Sequence, residues 1–138
     1  MSRKLKIDTG GTKLGPYSPG INVKDHIWLS GQIDVDAGDD IESQTWGTLA
    51  KIDDLLAAAN SSKSDLVKVT VLMTDIEFYS KIINIYAEWL GDTIPPSRAA
   101  YEISRLPGGA LGEIVCEAFR NSGEFRTDLP AELEEALV

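Results

Sequence analysis

Residues 97–120 read Ser97-Arg98-Ala99-Ala100-Tyr101-Glu102-Ile103-Ser104-Arg105-Leu106-Pro107-Gly108-Gly109-Ala110-Leu111-Gly112-Glu113-Ile114-Val115-Cys116-Glu117-Ala118-Phe119-Arg120. Pro107-Gly108-Gly109-Ala110 is a strong turn signal between two runs that suit strands. The pattern predicts strands over Ser97 to Leu106 and Glu113 to Arg120, paired as a hairpin. Both runs are apolar at both parities: Ala100 and Leu106 against Tyr101 and Ile103, Ile114 and Ala118 against Val115 and Phe119. Alternate strand side chains point to opposite faces, so this sheet is apolar on both sides. If helices cover only one face, a partner subunit must cover the other.

The stretches upstream supply those helices. Trp46, Leu49, Ile52, Leu55/Leu56 and Ala59 recur at steps of three or four and form one apolar stripe. Asp39 with Glu42 resembles a capping box, and Asn60 is a left-handed stop. A second stripe runs through Tyr79, Ile82/Ile83, Tyr86 and Trp89/Leu90. Thr74 with Glu77 caps it, Gly91 ends it, and Pro95-Pro96 forbids continuation. Between the helices Val67, Val69, Val71 and Met73 alternate with Lys68, Thr70 and Leu72, a strand of period two. His26 to Ser30 is a short strand closed by Gly31, and Lys4 to Asp8 with Tyr17 to Val23 form an early pair. The expected order is β-β-β-α-β-α-β-β. Each helix joins two strands, which predicts a two-layer α/β (α+β) sandwich: a six-stranded mixed sheet with two helices on one face.

The chain has 138 residues, a mass of 15.0 kDa and no internal repeat, which suits one domain over residues 1–120. From Asn121 to Val138 the composition shifts to an acidic extension, in which Pro130 and then Leu129, Leu133 and Leu137 fit a short helix. Thirteen Lys and Arg against 22 Asp and Glu give a net charge of −9. That repulsion disfavours nucleic acid as the main partner. Cys116 has no partner for an intrachain disulfide, and His26 is the only histidine, so a Cys/His structural zinc site is excluded. The basic start, Met1 to Asp8, lacks an apolar run behind it and does not read as a signal peptide. No segment approaches a bilayer span. The expected location is cytoplasmic, with no membrane partner.

Four clusters carry chemistry-bearing side chains. Gly15-Pro16-Tyr17-Ser18-Pro19-Gly20 holds two hydroxyls on a constrained backbone, or is simply a structural loop. Ser30-Gly31-Gln32 ends a strand with a glycine that either permits close approach or marks a bulge. Pro95-Pro96-Ser97-Arg98 places a guanidinium on rigid backbone, suited to a carboxylate or to a surface ion pair. Gly112-Glu113-Ile114 puts a carboxylate at a strand start, the ordinary place for an exposed glutamate. His26 reads as structural and Cys116 as strand packing.

Together and in order, these residues resemble one family. Gly15-Pro16-Tyr17-Ser18 is followed by Ser30-Gly31-Gln32, Gln44, Val67-x-Val69, Asp75, Pro96-x-Arg98, Leu106-Pro107 and Glu113-Ile114. The pattern is similar to the reactive intermediate deaminase (Rid, or YjgF) family over about residues 5 to 120. The resemblance implies a chorismate-mutase-like fold, a homotrimer, sites between subunits, and hydrolysis of enamines and imines such as 2-aminoacrylate to 2-oxo acids and ammonia. It implies no metal or organic cofactor. By position, Arg98 holds the substrate carboxylate, Glu113 positions or activates water, and Tyr17 lines the pocket. Ser30, Gly31 and Ala100 lie beside the substrate. Ala100 stands where the family often has cysteine, Ile83 where it has asparagine, and Pro19-Gly20 where many members have Gln-Ala.

Two other readings fit the same residues: a binding protein that captures 2-oxo acids through Arg98 without turnover, and an RNA-cleaving translation inhibitor. The acidic charge and lone histidine weigh against the second. A tight hairpin at Gly108-Gly109 would set Glu113 opposite Ser104 and Arg98 opposite Phe119. Arg98 and Glu113 would then lie roughly 20 Å apart at ~3.3 Å per residue, which requires two subunits to complete one site.

Overall fold

In the computed structural model, which describes residues 2–124, the first helix starts at Asp40 rather than Asp39. Asp40 is extended, and its carboxylate accepts from Ser43 N at 2.9 Å, satisfying an orphan donor of helix α1, Ile41–Ala58. Asn60 at φ 55° stops it in the left-handed region, as expected. Trp46 departs from the predicted stripe: it is 42% exposed, and Ile41, Thr45 and Thr48 join Leu49, Ile52, Leu55 and Leu56 on the buried side. The second cap also shifts by one residue. Asp75, not Thr74, accepts from Glu77 N and opens a short 3-10 turn that runs into helix α2, Tyr79–Leu90. Gly91 ends α2 at φ 58°, where a side chain would be strained.

Among the described residues six strands form one sheet: β1 Leu5–Ile7, β2 Gly20–Val23, β3 His26–Leu29, β4 Leu66–Met73, β5 Ser97–Glu102 and β6 Gly112–Phe119. Their spatial order is β1-β2-β3-β6-β4-β5. Strands β4 and β5 are parallel and all other neighbours antiparallel, so the sheet is mixed. Each helix connects parallel strands, α1 from β3 to β4 and α2 from β4 to β5. Both helices pack one face, where Leu49, Ile52 and Leu56 of α1 and Ile82, Tyr86 and Trp89 of α2 meet Val69, Val71, Ile114 and Cys116. Burying each such Leu or Ile contributes about 1.5–3 kcal/mol. This is the expected two-layer α/β sandwich.

The expected hairpin does not form. Strand β6 pairs with β3 and β4, while β5 pairs only with the far side of β4. Gly108 and Gly109, at φ 68° and 72°, do turn the chain, but that turn carries it across the end of β4 rather than back along β5. Burial explains the choice. In β6 Ile114, Cys116 and Ala118 are all buried and belong at the sheet centre, whereas every residue of β5 except half-buried Ala100 is exposed, which suits an edge.

Among the described residues the opposite face has no helix. It carries Trp28, Tyr101 and Phe119 at 39%, 51% and 48% exposure, with Leu72 and Val115 half-buried among them. The acidic extension, with the expected helix of Leu129, Leu133 and Leu137, lies outside the described residues beyond Glu124.

Candidate active site

Two clusters of the expected residues come together, at opposite sides of the sheet. The first gathers Tyr17, Ser30, Gly31 and Glu113. Strand β3 ends at Leu29, and Ser30 N then donates to Pro19 O at 2.9 Å while its Oγ donates to Ser18 O at 2.7 Å. These bonds lay the Tyr17-Ser18-Pro19 segment alongside Ser30, with the Tyr17 ring 43% exposed. One residue on, Gln32 and Ile114 exchange both backbone hydrogen bonds, at 2.9 and 3.1 Å. Gly31 is thereby pressed against Glu113: a Cβ there would lie 2.6 Å from Glu113 Cδ and 2.9 Å from both carboxylate oxygens. Close approach, one of the two readings open from sequence, is the one the structure takes.

Glu113 is also held from behind. Gln44 of α1 is buried, donates from Nε2 to Gly38 O at 2.9 Å and accepts from Leu111 N at 3.0 Å. That fixes the backbone two residues before Glu113. Partial burial of the carboxyl pushes its pKa above the ordinary 4.5. Raised basicity is what a proton-transfer carboxylate needs.

The second cluster lies on edge strand β5. Arg98 sits in register with Val69, and Ala100 with Val71. Both partners are buried under the helices, so Arg98 and Ala100 face the helix layer. Arg98 Nη2 donates to Tyr79 Oη at 2.7 Å, and its guanidinium carbon lies 5.6 Å from the Tyr79 ring centroid and 5.9 Å from that of Tyr86. Among the described residues no carboxylate lies within 4.0 Å of it. Among the described residues its side-chain hydrogen bond therefore goes to the Tyr79 hydroxyl rather than to a surface ion pair.

The register places these clusters apart within one chain. Arg98 shares a row with Val69 and Cys116, and Glu113 shares one with Leu72 and Tyr101. Three residues along and two strands across make roughly 14 Å between their Cα atoms at ~3.3 and ~4.8 Å spacings. The expected pairing of Glu113 with Ser104 and of Arg98 with Phe119, and the ~20 Å that it implied, are thus corrected. Moreover the two side chains project from opposite faces.

His26 stacks on Trp28 with centroids 3.7 Å apart, and its Nε2 lies 3.0 Å from Glu117 Oε2. Cys116 is buried, and burial pushes its thiol up to about 12, which removes it as a nucleophile. Tyr79 is what sequence reasoning missed. It reads as one member of an apolar helical stripe, and nothing local to it marks its hydroxyl as the partner of Arg98. No group of three or more His, Cys, Asp or Glu among the described residues is arranged to hold a metal ion. None of their helices is long and apolar enough to cross a membrane.

Comparison with known proteins gives a consistent assignment. The family model described as endoribonuclease L-PSP matches residues 11–120. A RutC family protein of Pyrococcus horikoshii is 38% identical over 126 residues, covering 87% of this chain and 99% of its own. The 2-iminobutanoate/2-iminopropanoate deaminase of Bos taurus is 31% identical over 120 residues, covering 83% and 85%. A crystal structure of a protein of unknown function in the conserved Rid family, YyfA from Yersinia pestis, superimposes with a TM-score of 0.79 at 40% identity, covering 84% of this chain and 98% of that one.

Proposed function

Since the chain belongs to the endoribonuclease L-PSP (Rid/YjgF) family, we propose that it is an enzyme hydrolysing reactive imines and enamines of the 2-aminoacrylate type to 2-oxo acids and ammonia. The observation that carries this reading is the Glu113 carboxyl, raised in pKa and seated so close to Gly31 that a Cβ there would displace it. The bovine relative, a 2-iminobutanoate/2-iminopropanoate deaminase by name, supports the substrate class.

The chemistry needs one proton-transfer group and one anchor. Arg98 takes the substrate carboxylate in a two-bond fork. Glu113 accepts a proton from water as the water oxygen bonds to the carbon of the protonated imine, whose C=N π pair moves to nitrogen, giving a neutral tetrahedral carbinolamine. Protonated Glu113 returns that proton to the nitrogen; the C–N bond then breaks, ammonia leaves with the bonding pair, and the hydroxyl proton passes to the Glu113 carboxylate as the carbonyl forms, to be released to water. An enamine first tautomerises to its imine by protonation at carbon. Tyr17, Ser30 and Gly31 line the approach. The reaction is a hydrolysis, so no electrons are transferred.

Arg98 and Glu113 of one chain cannot hold the same small substrate across ~14 Å from opposite faces. We therefore propose sites between subunits, each taking Arg98 and Ala100 from one chain and Tyr17, Ser30, Gly31 and Glu113 from its neighbour, in the homotrimer that the family resemblance implies. The exposed aromatics of the helix-free face, Trp28, Tyr101 and Phe119, support such an assembly. Coupling an amino acid oxidase to semicarbazide trapping tests the activity. Less semicarbazone with this protein present is the expected result; an unchanged yield overturns the reading.

A further inference from the structure

We propose that Tyr79 is a positioning residue that aims the Arg98 guanidinium at the substrate carboxylate and so sets the preference for anionic over neutral imines. This deepens the imine-hydrolase reading and rests on it. Arg98 is exposed on an edge strand, where a free arginine side chain samples many rotamers and only a few direct its planar fork at one point. Tyr79 removes that freedom. Its hydroxyl accepts from Nη2 at 2.7 Å, and its ring, with that of Tyr86, lies within 6 Å of the guanidinium carbon.

The placement is rigid because the two elements are tied to each other. Glu102, on the same strand as Arg98, accepts from Ile76 N at 2.9 Å, and Asp75 accepts from Glu77 N at 2.9 Å. Both bonds fix the 3-10 turn that delivers Tyr79 as the first residue of α2. Tyr86 is seven residues further on, hence on the same helix face.

The chemistry of the tether matters as much as its position. A carboxylate in place of Tyr79 would neutralise Arg98 and compete with the substrate. A phenol oxygen is uncharged, occupies one of five N–H donors, and leaves a full positive charge with a two-donor edge to spare. The result is an oriented guanidinium still available to an anion.

The test uses the full-length assembled protein with Tyr79→Phe, which keeps the ring and removes the acceptor, and Tyr79→Leu, which removes both. Substrates are a freshly generated imine of a 2-oxo acid and its carboxamide counterpart, with equal melting temperature as the check on folding. For Tyr79→Phe, KM for the acid rises about fivefold with kcat within about twofold, while kcat/KM for the carboxamide stays constant. Tyr79→Leu raises the acid KM further. An equal loss on both substrates, or an unchanged KM for the acid, overturns the proposal and leaves the hydrolase reading standing. If the wild-type protein hydrolyses neither substrate and binds no 2-oxobutanoate by calorimetry, both fall together, and the wild-type measurement alone shows it.

Discussion

Arg98 and Glu113 project from opposite faces of one sheet, three residues out of register and two strands apart. If each active site takes one residue from either side of a subunit boundary, single variants complement. Arg98→Ala and Glu113→Ala proteins are each inactive. Unfolded and reassembled together, they regain activity, because some boundaries then carry both wild-type residues. Light scattering of the native protein gives about 45 kDa, three times the chain mass of 15.0 kDa. Absent recovery, despite proven subunit exchange, would place both residues in one chain's pocket.

Gly31→Ala separates activity from folding. The new methyl would sit 2.6 Å from Glu113 Cδ, and the flexible carboxylate rather than the backbone gives way. Stability falls by about 1 kcal/mol or less, but the carboxylate moves by the order of an ångström, which costs on the order of a hundredfold in kcat/KM. Full activity in a folded Gly31→Ala protein would show that Glu113 need not sit where it does.

Arg98→Lys keeps the charge and loses the fork. Losing one charge-assisted hydrogen bond to the substrate carboxylate costs about 1.5–3 kcal/mol, a drop on the order of ten- to a hundredfold in kcat/KM. Lysine also lacks the guanidinium that lies within 6 Å of the Tyr79 and Tyr86 ring centroids. Unchanged turnover would make Arg98 structural.

Glu113 predicts opposite pH trends for stability and activity. Burial raises its folded pKa above the usual 4.5, so the protonated form is the one that folding favours. Its contribution to stability is full below the unfolded pKa and is lost as pH rises through the raised folded value. Glu113→Gln abolishes that trend, so the variant gains on the wild type from about pH 4.5 upward in denaturant midpoint. Catalysis needs the carboxylate, so wild-type activity rises over the same window. Parallel pH curves for the stability of the two proteins would count against the raised value.

Tyr86 carries a hydroxyl that is buried and has no hydrogen-bond partner among the described residues, and burial pushes its pKa to about 12. A buried unpaired hydroxyl opposes folding. Tyr86→Phe keeps the ring beside Arg98 and raises unfolding free energy by about 1 kcal/mol. Clear destabilisation in urea titration would mean that the hydroxyl is bonded in solution.

The sequence alone determined the elements with local causes. Helix α2 follows from Ile82, Tyr86, Trp89 and Leu90 at helical spacing with Gly91 at its end, and β4 from the alternation of Val69, Val71 and Met73 with polar neighbours. Caps were legible to within one residue, since Asp39 and Asp40, or Thr74 and Asp75, are chemically equivalent candidates until the backbone chooses. Ser30, Gly31, Arg98 and Glu113 stood out by residue type and order.

Only the tertiary structure decided how strands and site residues meet. The Pro107-Gly108-Gly109 turn argues for neighbouring strands, yet β6 enters between β3 and β4 and leaves β5 at the edge. Turn chemistry sets the direction of a few residues, whereas strand order is set by which strand buries most, and that is a property of the whole sheet. The contacts of Gly31 with Glu113 and of Tyr79 with Arg98 join residues 82 and 19 positions apart in the chain, so no local pattern encodes them. They exist because folding brings one strand end against another and one helix start against an edge strand.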